Sequence, residues 1–353
     1  MTTREKFLEV MDFKQVPDFP FTEFMGFWPE TQDLWEDIIP KTENIFDHFG
    51  LFDIQKVPIN FNFVPAFKRE ILEETDEWIL VRDELNCLKK EFKNSSAMPH
   101  FLEFPIKSRD DFYQIKERMD PYSPERYPAN WDELVKEYKN RDYPLELFIR
   151  GPFAFGRDFI EFNQYMMLFY DDKELIAEMY EFQVDFMMKL WEKALNEIEV
   201  DAVYIGEDMA YKNGPMVSKE FFEELIFPQY KKLTGYLKSY GVKNIFLDSD
   251  GNIEVILPLI VESGIDGILP LENAAGMDPL KIREQFPKLK MIGGLDKLKI
   301  AKGGETMEKE IQKAKMLCAQ GGYLPSFDHS VPPILSYDEY CIYLKRLREE
   351  III

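Results

Sequence analysis

Cysteine and histidine are scarce in this chain, with three of each in 353 residues. Cys87, Cys318 and Cys341 lie far apart, and an odd count without short spacings excludes a disulfide framework and a cysteine-rich zinc site. No stretch approaches the roughly eighteen apolar residues of a membrane span. The opening MTTREKFLEVM is too charged for a secretory signal, so a cytoplasmic protein is expected. Positive charge is in deficit as well: 43 Lys and Arg against 65 Asp and Glu leave a net charge of −22. Such a surface repels nucleic acid and anionic lipid. It suits solubility and a more basic protein partner. No Gly/Ser linker or low-complexity stretch interrupts the chain, which favours one domain over 1–353.

Apolar residues make up 45% of the chain and aromatics 15%, enough to bury a sizeable core. A short apolar strand, a polar residue, a loop and an amphipathic helix recur along it. Candidate strands are 18–24, 51–59, 145–151, 202–208, 244–250, 267–273, 289–296 and 322–329. Residues 171–198 carry apolar positions at three- and four-residue steps behind Asp171 and Glu174, in capping-box spacing. Ser336 and Glu339 open the last helix in the same way. Residues 218–240 read as a helix that Pro228 should kink. Eight strands alternating with helices predict an α/β fold, a TIM (β/α)8 barrel with an N-terminal helix. Residues 66–94 look like a small antiparallel β insertion between the second and third strands.

Barrel active sites lie at the carboxyl ends of the strands. Those ends carry Glu23, Asp53, Arg150, Glu207 with Asp208, Asp248 with Asp250, Glu272, Asp296, and Asp328 with His329. So many acids around one basin repel unless a cation, a positively charged ligand or raised pKa values relieve them. A lone strand-end acid is more often a helix cap, and Asp278 and Asp296 fit that role. The pair in NIFLDSDGNI is different. Asp248 and Asp250 are two residues apart and point the same way on an extended strand, while Gly251 signals crowding or a turn. His48 and His100 fit packing or surface roles, whereas His329 precedes the rigid SVPP. Glu207, Asp248, Asp250 and His329 form a mixed oxygen and nitrogen set suited to a divalent metal, zinc or a harder ion.

The segments RGPFAFGRDFIEFNQYMMLFYDD, YIGEDMAYKNGPMVSKEFFEELIFPQYKKL, DSDGNI, GILPLENAAGMDP, MIGGLDK and GGYLPSFDHSVPP resemble the uroporphyrinogen decarboxylase superfamily, from about residue 145 to the end. The resemblance implies a TIM barrel and one of two chemistries. Haem-pathway decarboxylases hold substrate carboxylates with an arginine-rich segment after the first strand. Here that segment reads FPFTEFMGFWPE and has no arginine. The corrinoid-dependent methyltransferase branch is therefore the nearer one. Its thiol-using members hold zinc with His-x-Cys-Gly at the fifth strand and a Cys before the eighth-strand prolines. Asp248-x-Asp250-Gly251 and His329 occupy those places, and Glu207 matches an acidic position at the fourth strand. Harder ligands suit polarising an ether oxygen.

The expected function is thus the methyltransferase component of a corrinoid-dependent O-demethylation system. Methyl would pass from a small methoxy compound to cobalamin on a partner protein. Glu207, Asp248, Asp250 and His329 would hold a divalent metal, zinc first. Asp208 or Tyr165 would protonate the leaving oxygen. Glu23, Phe24, Phe27, Trp28 and Phe153 would line the substrate pocket. A decarboxylase or lyase acting on a smaller acid held by Arg150 and Arg157 is the alternative, and a non-catalytic binding barrel is a third. Homodimerisation is left open.

Overall fold

The computed structural model describes residues 1–93 and 98–351. Seven parallel strands form one curled sheet: Gln55–Lys56, Leu145–Arg150, Ala202–Gly206, Ile245–Asp248, Gly267–Leu269, Lys290–Ile292 and Tyr323–Leu324. Every strand pairs with its predecessor in chain order, and helices make the crossovers. This is the α/β barrel of the TIM type. The later strands form where the chain is continuously apolar, because both faces are covered. Ala202–Gly206 is buried throughout.

The eighth position is filled without a ladder. Residues 18–24 run beside the last strand, but Pro20 has no N–H to give and no strand forms there. Closure comes instead from a parallel bridge between Phe27 and Val331, a Phe52 N–H to the Phe21 carbonyl at 2.9 Å, and Glu23. The Glu23 carboxylate accepts from Ser326 Oγ at 2.9 Å, Phe327 N at 3.0 Å and Tyr340 OH at 3.2 Å.

The longest helix, Lys173–Glu197, buries Ile176, Met179, Tyr180, Met187, Leu190 and Trp191 on one stripe, each worth about 1.5–3 kcal/mol of burial. Its cap is Asp172, which accepts from Leu175 N, one residue later than the spacing suggested. Ser336 and Glu339 form a capping box on Tyr337–Glu350. Asp278 and Asp296 cap the helices that follow them. The chain expected to kink at Pro228 has a wide π turn over Phe222–Ile226, ahead of Phe227–Ser239. A helix spans Thr3–Met11. A four-stranded antiparallel sheet occupies Glu70–Glu74, Trp78–Arg82, Leu88–Phe92 and His100–Glu103. It runs past the expected 66–94, of which Asn94 lies outside the described residues. Among the described residues no helix is long and apolar enough to cross a membrane.

Candidate active site

Asp248 ends the Ile245–Asp248 strand. The strand stops because Gly251 takes φ +79°, and a Cβ there would lie 2.4 Å from the Ala210 carbonyl oxygen. Just before this crowded turn, Asp248 and Asp250 are partly exposed at the mouth. Burial, then Asp208 and Asp250, push the Asp248 carboxyl up to about 7. Burial, then Asp208 and Glu272, push Asp250 up to about 6. Asp208 and Glu272 thus lie close enough to act on this pair, with Glu272 accepting from Gly251 N at 3.0 Å. Asp248 keeps a proton closer to neutral pH than an ordinary carboxyl does, and Asp250 less so.

Asp208 carries the strain of this arrangement. Its φ is +45°, a conformation that costs a non-glycine residue about 1–3 kcal/mol. Arg157 holds it, donating to its carbonyl at 2.9 Å and its carboxylate at 3.1 Å. Arg150 donates to Asp158 at 2.8 Å and lies 3.4 Å from Asp208. Both arginines are therefore neutralised by neighbours. Lys297 sits 3.6 Å from Asp328, whose carboxylate also accepts from the Asn273 backbone at 3.0 Å.

Glu207 does not join this group. It is fully buried, accepting from Ala154 N at 2.7 Å and Tyr230 OH at 2.6 Å, and burial pushes it up to about 7. Both oxygens face the start of the Pro152–Phe159 helix, where Gly151 leaves them room. His329 is at the mouth, stacked on Trp28 with ring centres 5.5 Å apart. Its Nδ1 accepts from Ser330 N at 2.8 Å, so the neutral ring carries its proton on Nε2 and offers a donor there. Burial lowers its pKa.

These positions bear on the expected metal set. A catalytic divalent ion takes about three protein ligands. Here the Glu207 oxygens and one His329 nitrogen are engaged, and Asp248 and Asp250 alone remain. Among the described residues no three His, Cys, Asp or Glu groups converge in a metal-holding arrangement. To join Asp248 and Asp250 around an ion, Glu207 would share oxygens that already accept from Ala154 N and Tyr230 OH, and His329 would give up the hydrogen bond from Ser330 N.

Four further expectations fall in the core. Tyr165 is buried, with its hydroxyl between the Phe153 carbonyl and Tyr180, and burial raises it well above its ordinary value. Phe153 packs against Tyr165. Phe27 lies among Trp35, Phe46, Phe49 and Tyr340. Glu23 is the closure clamp described above, held by its three donors. Trp28 and Phe24 are partly exposed at the opening.

Residue-by-residue reading missed Glu146, Phe148 and Tyr204 on the inner face of the barrel. The signal was in LELFIR. Glu146, Phe148 and Arg150 alternate with Leu145, Leu147 and Ile149, so one face of that strand is polar and aromatic.

No protein-family model matches the chain, and no curated protein matches it. Among solved structures, a methyltransferase from Methanosarcina mazei is similar over 100% of both chains, with 15% identity and a TM-score of 0.63. A B12-independent methionine synthase from a Shewanella species matches 62% of this chain and 64% of its own, with 13% identity and a TM-score of 0.41. At this identity the full-length match to the methyltransferase is a likeness of fold: the chain has the barrel of that enzyme from end to end.

Proposed function

We propose that the chain is the methyltransferase component of a corrinoid-dependent demethylation system, taking methyl from a small methoxy compound. The observation that carries this reading is the convergence of Asp208, Asp248, Asp250 and Glu272 at the mouth of a barrel shared along its whole length with a methyltransferase. Cleaving a methyl ether leaves an electron pair on oxygen, and a positioned acid stabilises it by giving a proton. Asp248, close to half protonated at neutral pH, is that acid. The proton moves from its carboxyl to the departing oxygen as the carbon–oxygen bond breaks, and the new carboxylate faces Arg150. The partner's corrinoid supplies the nucleophile that accepts the methyl group, and the open mouth admits it. A decarboxylase would need Arg150 and Arg157 to hold substrate, and both are already paired.

Incubating the protein with cob(I)alamin and a panel of methoxy compounds tests the reading, with methylcobalamin followed by absorbance. Methylcobalamin forms from at least one donor; no transfer, with free or protein-bound cobalamin, contradicts it. EDTA treatment leaves the rate unchanged. A loss of rate restored by zinc would instead put an ion on Asp248, Asp250 and a turned His329.

A further inference from the structure

Below the mouth, two buried polar atoms have no partner. Glu146 and Tyr204 are each 1% exposed, and Glu146 Oε2 and the Tyr204 hydroxyl accept or donate nothing among the described residues. They belong to one place. Glu146 and Asp248 are the charged groups that act on Tyr204, while Lys56, Asp53 and Asp248 act on Glu146. Orphaned buried polar atoms cost roughly 1–3 kcal/mol each, and a ligand that satisfies both recovers this.

The surroundings specify its charge. The Tyr204 ring packs against Phe24 at 4.7 Å, and Phe24 and Phe148 are partly exposed. Lys56 shows what the site attracts. Its ammonium lies 4.9 Å from the Phe148 ring centre and 3.9 Å from Glu146 Oε1, yet its side chain is 68% exposed and leaves Glu146 Oε2 unpaired. Burial pushes the Glu146 carboxyl up to about 8, and a cationic nitrogen held between it and the aromatic faces favours its charged form. Arg150, Arg157 and Lys297 do not neutralise Glu146, being committed to Asp158, Asp208 and Asp328.

We propose that Glu146 and Tyr204, flanked by Phe24 and Phe148, bind a protonated amine, so that the methyl donor is a methoxy compound carrying a cationic nitrogen. This rests on the methyltransferase reading for the word donor; the amine site stands on the orphaned atoms. The ammonium donates to Glu146 Oε2 and rests on the rings, and the methoxy end points to the acids at the mouth.

Calorimetric titration in EDTA with 2-methoxyethylammonium, 1,2-dimethoxyethane and methoxyacetate tests it. The cation binds at least tenfold more tightly than the neutral and anionic probes. Glu146→Gln erases that preference, and Tyr204→Phe weakens the cation alone. Circular dichroism confirms that both variants are folded. Equal affinities, no binding by any probe, or a preference that survives Glu146→Gln overturns the proposal. Cation-selective binding without methyl transfer to cob(I)alamin keeps the amine site and removes the methyltransferase reading. Transfer from a neutral donor with no cation preference does the reverse.

Discussion

Gly151 and Glu207 compete for the same few ångströms. A Cβ on Gly151 would lie 2.1 Å from Glu207 Oε1, and the carboxylate cannot retreat while Ala154 N and Tyr230 hold it. Gly151→Ala therefore costs about 1–3 kcal/mol of stability by overpacking, read from urea denaturation; an unchanged midpoint contradicts this. Glu23 and Glu207 also set a pH dependence. Folding raises each from 4.5 to about 7 by burial, so the folded chain binds these protons more tightly than the unfolded chain. Their contribution is complete below the unfolded value and is lost as pH rises towards 7. Stability falls between pH 5 and pH 8, and Glu23→Gln with Glu207→Gln flattens the slope. A slope unchanged in the double variant would assign it to other groups.

The elements of the barrel differ in how they are held. Inner strands such as Ala202–Gly206 are buried on both sides, whereas the 18–24 segment, with Phe24 N donating to Ser326 Oγ at 3.1 Å, reaches the end of the last strand mainly through the Glu23 carboxylate. Removing it in Glu23→Ala strands three donors from Ser326, Phe327 and Tyr340, a loss on the order of 3 kcal/mol. Amide exchange speeds first in 18–27; exchange that speeds uniformly would mean the clamp is not local. This element explains a limit of sequence reading. Strands with continuous apolar runs and helices with caps at Asp278, Asp296 and Ser336 declare themselves locally. The 18–24 segment does not, because Pro20 has no N–H to give a ladder and the partner of Glu23 is 303 residues away in Ser326.

At the scale of the whole molecule, the acids that matter arrive from separate strands. Their chain positions revealed that they end strands, but not which way each turns. Asp248 and Asp250 were legible because a period of two and a following glycine aim them together. Glu207 and Asp208 are adjacent, and only the left-handed backbone at Asp208 decides that one faces the mouth and the other the core. His329 was legible by place, while its hydrogen bond from Ser330 is a local turn that no pattern records. The measurement that bears most directly on proton-assisted methyl transfer is the pH–rate profile of methylcobalamin formation for the wild-type chain and Asp248→Asn. The wild-type rate is predicted to fall as pH rises through about 7, and Asp248→Asn to lose this limb and about 10²-fold or more in rate. A variant with the wild-type rate and profile would contradict the account.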